Sequence, residues 1–204
     1  MSLGHDWEKY LACMEEVKKR IQILDDALLP FRARKELAVP NLELAALQLR
    51  KIYELIAFAS LATNRQRYSE IRQRYEKDWN LAEVLKLVED INPHSFPVAC
   101  RMVGDEIIDR EALNFSRSSL ANLHGELGTL LHAKNPYKDE LDYLKWHQKC
   151  VERRDHALDV LNFHRVWPDP GKEQTFYFVQ MHTLPKGEIQ VAVFEKVGKV
   201  GEVV

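Results

Sequence analysis

The sequence predicts a mainly α-helical protein, a bundle of about five helices carrying a C-terminal β-hairpin. Three observations lead there. Residues 7–28 place apolar side chains at spacings of three and four. Residues 40–64 are apolar almost all round a helical circumference. Beyond residue 172 the pattern changes to aromatic and β-branched runs on either side of Leu184-Pro-Lys-Gly. Composition agrees: of 204 residues, 46% are hydrophobic and 29% charged, which excludes a disordered chain.

The first helix is set by Trp7, Tyr10, Met14, Val17, Ile21, Leu24 and Leu28, a stripe that keeps to one face. Glu8, Lys9, Glu15, Glu16, Lys18, Lys19 and Arg20 fill the solvated side, and Pro30 ends it. The second helix, from about Pro40 to Asn64, carries Leu42, Leu49, Ile52, Tyr53, Ile56 and Phe58 among others. A helix apolar all round belongs at the centre of the bundle. Its charged cluster is Arg50, Lys51 and Glu54, with Arg50 and Glu54 spaced four apart for an ion pair.

The tetrapeptide Arg-Gln-Arg-Tyr occurs at 65–68 and again at 72–75. On a continuous helix this repeat stacks Arg65 over Arg72, Arg67 over Arg74 and Tyr68 over Tyr75. Asn80 followed by Glu83 reads as a helix start for Leu81–Ile91, which Asn92-Pro93 closes. Val98–Val103 reads as a short strand or ordered connection, and Asp109–Leu113 as a helical turn. A helix follows over about Phe115–His132, and a last long one over Lys138–Val166, stopped by Trp167-Pro-Asp-Pro-Gly. The expected organisation is residues 1–6 as a flexible N-terminus or expression remnant, 7–167 as the bundle, 172–197 as the appended hairpin and 198–204 as a frayed tail. An isolated hairpin is marginal, so it should rest on the helices or find a third strand such as 98–103.

Charge and cysteines bound the function. Lys and Arg number 29 against 31 Asp and Glu, so a nucleic-acid site must be a local patch. Cys13, Cys100 and Cys150 are sparse, odd in number and without a Cys-x-x-Cys pair, as expected of reduced thiols in a cytoplasmic protein. No apolar run approaches the ~20 residues of a membrane span, and no signal-peptide pattern opens the chain. His147, Cys150, His156 and His164 share the last helix without the spacing of a metal site, so neither a metal nor a cofactor is expected. His132 and Lys134 read as groups that meet the free carbonyls at a helix end.

The segment richest in chemistry is the helix after residue 115. Arg117 and His124 are seven apart, nearly in line along its surface, with Gly125 and Gly128 on the same flank. Each glycine inside a helix costs roughly 1 kcal/mol, so two of them imply a close approach by another helix, a second subunit or a ligand. An arginine suits phosphate oxygens, and a histidine can move the proton of a ribose hydroxyl near neutral pH.

An Arg, six intervening residues and a His on a late helix of a small bundle resembles the HEPN superfamily. Ser118 follows the arginine, where that family commonly carries Asn, Asp or His. The resemblance implies an RNA-associated protein, a metal-independent ribonuclease of a toxin or phage-defence type, working as a homodimer. It assigns Arg117 to the transferring phosphate and His124 to acid–base chemistry. Arg65, Arg67, Tyr68, Arg72, Arg74 and Tyr75 would then form an RNA track, with arginines on phosphates and tyrosines on unpaired bases. The alternative is a non-catalytic helical scaffold, with the glycine flank as a packing seam and the hairpin adding to a partner protein's sheet.

Overall fold

The computed structural model describes residues 5–29, 38–72, 80–104, 106–111, 115–133, 137, 140–168, 175–181 and 187–195. Its helices are α1 (His5–Leu28), α2 (Ala38–Thr63), α3 (Arg65–Ile71), α4 (Leu81–Ile91), α5 (Arg117–Leu131) and α6 (Tyr143–Leu161). The strands are β1 (Val98–Val103), β2 (Glu106–Asp109), β3 (Phe163–Val166), β4 (Thr175–Gln180) and β5 (Gln190–Glu195). The mainly helical expectation therefore holds, with an antiparallel sheet in place of a lone hairpin.

The apolar helix is central, as its pattern requires. α2 packs against α1, α3, α4, α5 and α6. Leu42, Ala45, Ala46, Leu49, Ile52, Tyr53, Ile56, Ala57 and Ala59 are buried along it. The α1 stripe from Trp7 to Leu28 is buried at every predicted position. α4 starts as its sequence indicates: the Asn80 side chain accepts from the backbone N–H groups of Ala82 and Glu83. Glu83, in the first turn, pairs with Arg72 at 3.6 Å. Asn80→Ala is expected to cost about 1 kcal/mol, measurable by urea denaturation.

Three expectations need correction. The last helix does not run from Lys138 to Val166. It starts at Tyr143, where the Asp142 side chain accepts from the Lys145 N–H, and ends at Leu161. The four residues Phe163–Val166 leave the helix to form β3, and the Met181 N–H bonds to the Asn162 carbonyl where that ladder begins. Asp109 is the last residue of β2 rather than the start of a helical turn; 112–114 lie outside the described residues. The Arg-Gln-Arg-Tyr repeat does not occupy one helix. α3 ends at Ile71, and Arg72 is extended.

The five strands are ordered β2-β1-β3-β4-β5, all neighbours antiparallel. The third strand beside the β4–β5 hairpin is β3, which in turn joins β1. Gly104, at φ +61°, lies between β1 and β2, in a conformation that glycine adopts without a Cβ penalty. On one face of the sheet Tyr177 stacks on Trp7, tying β4 to the start of α1. On the other, Phe176 and Phe178 pack against Phe194, and the Arg165 guanidinium lies 4.1 Å from the Trp167 ring. The breaker 168–171, the Leu184-Pro-Lys-Gly turn and the 198–204 tail fall wholly or mostly outside the described residues. No described helix is long and apolar enough to cross a membrane.

Two buried polar links fasten the layers. His164 of β3 meets the Tyr10 hydroxyl of α1 through Nε2, while its Nδ1 lies 2.8 Å from the Leu161 carbonyl. A carbonyl only accepts, so Nδ1 carries the hydrogen and Nε2 accepts from Tyr10 in the neutral ring. Asn92, at the end of α4, donates to Asn64 Oδ1 at 2.9 Å and to the Trp167 carbonyl at 2.8 Å, and its own oxygen accepts from the His94 N–H at 3.0 Å.

Candidate functional site

The structure separates the roles of Arg117 and His124. Ser116 caps α5, accepting from the Ser119 N–H while the Ser119 side chain accepts from the Ser116 N–H. This fixes the first turn and sends Arg117 toward the end of α4. Its Nη1 donates to Glu89 at 3.0 Å, and its Nη2 to the Pro93 carbonyl at 2.6 Å and to Ser95 Oγ at 3.2 Å. The guanidinium also lies 5.7 Å from the centre of the Phe96 ring. It borders a groove of about 390 Å³, but its charge there is matched by Glu89 and its donors hold the 93–95 turn. In this geometry Arg117 is a structural clamp.

His124, two turns along α5, faces α2. Its Nε2 lies 2.8 Å from Glu54 Oε1, and the two side chains are 17% and 33% exposed. An ionised carboxylate only accepts, so Nε2 carries the hydrogen, and in the neutral ring Nδ1 keeps its lone pair. Glu54 therefore sets both the orientation and the tautomer of the ring. The Arg50–Glu54 pair expected on α2 does not form, because Glu54 is turned to His124.

The two glycines have different surroundings. A Cβ at Gly128 would lie 3.4 Å from Arg50 Nη1 and 3.9 Å from His132 Nε2. The Arg50 guanidinium, crossing from α2, thus lies at van der Waals distance from the place of a side chain at 128. A Cβ at Gly125 would have nothing within 4 Å. Gly125→Ala is accordingly expected to stabilise the fold by about 0.5–1 kcal/mol in a thermal or urea melt, since it adds helix propensity without a clash.

His132 closes α5, but through its backbone: its N–H donates to the Gly128 carbonyl, while its side chain lies back toward Gly128. Lys134 lies outside the described residues. The α2–α5 seam thus presents a line of Glu54 with His124, then Arg50 beside Gly128 and His132.

The residues of the expected RNA track have different surroundings. Arg65 bonds to Asp6 of α1 at 2.6 Å, and Arg72 pairs with Glu83. Tyr68 is only 1% exposed, so its ring belongs to the core and offers no face to a base. Arg67 is exposed on α3, and Arg74 and Tyr75 lie outside the described residues. The helix spacing that lines up these residues also turns Tyr68 inward, into the core.

Other titratable groups serve packing. His147 Nε2 donates to the Leu28 carbonyl at 3.2 Å. Cys13, Cys100 and Cys150 are free thiols, each pushed by burial up to about 11 and so kept protonated. Glu126 of α5 meets Lys149 and Arg153 of α6; the Lys149 hydrogen bond is the largest cause holding its carboxyl below the usual range. No cluster of three or more metal-ligating side chains occurs among the described residues.

Sequence reasoning singled out His124 and both glycines but did not find Glu54 and Arg50 as their partners. The signal available was the charged pair at 50 and 54 on an otherwise apolar central helix. Comparison with protein-family models, curated proteins and solved structures gives no match.

Proposed function

We propose that the chain is an RNA-associated ribonuclease of the HEPN-like kind, with His124 as its acid–base group and Glu54 as the residue that positions it. The observation that carries this reading is the 2.8 Å His124–Glu54 contact on a partly open seam, which leaves Nδ1 as the basic nitrogen. Independence from metal is taken from the family resemblance.

In this mechanism Nδ1 takes the proton of a ribose 2′-hydroxyl. The 2′ oxygen attacks the adjacent phosphorus, and the P–O5′ bond breaks. The leaving 5′ oxygen takes up a proton, so the products are a 2′,3′-cyclic phosphate and a 5′-hydroxyl end. Glu54 stabilises the imidazolium formed in the first step, as a buried carboxylate does beside a catalytic histidine. Arg117 has no part in this chemistry, because its donors are committed to the 93–95 turn and Glu89.

The test is incubation of a labelled, partly single-stranded RNA with the full chain in EDTA, followed by analysis of the product ends. Cleavage giving cyclic-phosphate ends, reduced by Glu54→Gln mainly in kcat, is the expected result. An intact RNA removes the ribonuclease reading.

The second reading, a non-catalytic interaction protein, is favoured by one observation. Among the described residues β5 pairs only with β4, so its other edge can take a strand from a partner. Association of this edge with a partner protein, with RNA left uncut, is the outcome that would favour this second reading.

A further inference from the structure

We infer that Arg50 and His132, on either side of Gly128, form a phosphate-binding site on the α2–α5 seam. The inference rests on the reading of His124 above for the identity of the phosphate, which would be that of a nucleotide chain. Its geometry stands independently of that reading.

Arg50 is half-buried on the central helix, where a long charged side chain is otherwise out of place. It makes no ion pair or hydrogen bond with the described residues, unlike Arg20, Arg110, Arg117, Arg153, Arg154 and Arg165, each of which meets a carboxylate. Glu54, its natural partner one turn away, is engaged with His124. The guanidinium instead lies against Gly128, on the side to which the His132 ring also turns. The His132 side chain likewise makes no hydrogen bond with the described residues. Arg50 Nη1 and His132 Nε2 thus flank Gly128 on one side, 3.4 and 3.9 Å from where a Cβ there would stand, near enough for a single oxyanion to bridge them.

An oxyanion suits that arrangement. An arginine fork can hold two phosphate oxygens, and an imidazole N–H can donate to a third. His132 also borders a groove of about 330 Å³ with Val39, Glu43, Leu131, Leu141 and Tyr143, where apolar side chains can pack on a sugar or base and the Glu43 carboxylate can accept from its hydroxyl or amino groups. Residues four apart on a helix are surface neighbours, so a phosphate at Gly128 lies next to His124. Arg50 therefore takes the phosphate-binding role that sequence spacing gives to Arg117.

The test is an NMR titration of the full chain, following the Gly128 amide and the His132 ring, with inorganic phosphate in one arm and a 2′-deoxy dinucleotide in the other. Saturable shifts at both positions are expected. Arg50→Gln should weaken binding about tenfold or more, as loss of a charge-assisted pair does. Arg50→Lys, which keeps the charge but not the fork, should give an intermediate loss. Lys19→Gln, on an exposed part of α1, should change nothing. Tighter binding of the dinucleotide assigns the site to a nucleotide-borne phosphate, and equal binding to free phosphate. Shifts absent at Gly128 and His132, or unaltered affinity in folded Arg50→Gln, would overturn the inference. RNA cleavage that depends on His124 but not on Arg50 would remove this site and leave the ribonuclease reading. Phosphate binding through Arg50 without cleavage would do the reverse.

Discussion

Acidification from pH 7 to pH 4 is expected to remove about 3 kcal/mol of folding stability through His164 alone. The ring is fully buried, and that burial pulls its pKa down to about 4, only partly offset by the Leu161 carbonyl. The sign follows from proton uptake. Below the ordinary value of about 6.5 the unfolded chain binds a proton that the folded ring refuses until about 4. Stability is therefore complete above about pH 6.5 and falls as the pH drops through that window. The neutral ring is also what the contacts need, since Nε2 accepts from Tyr10 and a protonated ring cannot. The measurement is urea denaturation at several pH values, on wild type and on the Tyr10→Phe/His164→Leu double variant. Replacing both partners with apolar groups removes the titrating ring without leaving a lone hydroxyl. Acid effects from surface carboxylates such as Glu126 are common to both proteins and cancel in the difference. Parallel stability curves from pH 7 to pH 4 would contradict the assignment.

Asn92→Ala is expected to cost about 3 kcal/mol at neutral pH. Asn92 is wholly buried and uses three of its hydrogen-bonding positions, toward Asn64, Trp167 and His94. These partners belong to the end of α2, the exit of β3 and the turn after α4. Truncation leaves Asn64 Oδ1, fixed because the same amide donates through Nδ2 to the Ser60 carbonyl, without its donor in the core. Each such orphan costs about 1–3 kcal/mol, whereas the removed side chain contributes little apolar burial. Asn92→Asp should be as damaging, because a carboxylate cannot donate to either acceptor. A loss below about 1 kcal/mol in Asn92→Ala would show that this junction does not join helices to sheet.

The helices were legible in the sequence because one periodicity decides them. The α1 stripe and the all-round apolar α2 predict both elements to within two residues. Asn80 marks the start of α4 because its capping chemistry is local. The sheet was less legible for the same reason. Phe163-His-Arg-Val continues the spacing of α6, and only its pairing with β1 and β4 makes it a strand. β2 has four residues, two of them charged, and owes its conformation to β1.

The site was half legible. His124 and Gly128 stand out as costly or titratable residues within one helix. Their partners come from α2, some 70 residues away for Glu54, and no local spacing reports that juxtaposition. Arg117 shows the opposite case. Its spacing from His124 suggested a shared task, but the Ser116 cap and the 93–95 turn draw it elsewhere. Tyr68 repeats the lesson: a side chain aligned with arginines in sequence is buried in the fold.

The central claim is that His124 performs acid–base chemistry on RNA from the α2–α5 seam. The most direct measurement compares wild type and His124→Ala on the same labelled RNA in EDTA, with both proteins shown to be folded by circular dichroism. Removal of a general acid–base group predicts a rate lower by about 10²–10⁴-fold in the variant. Equal cutting by both proteins, or none by wild type, would contradict the claim.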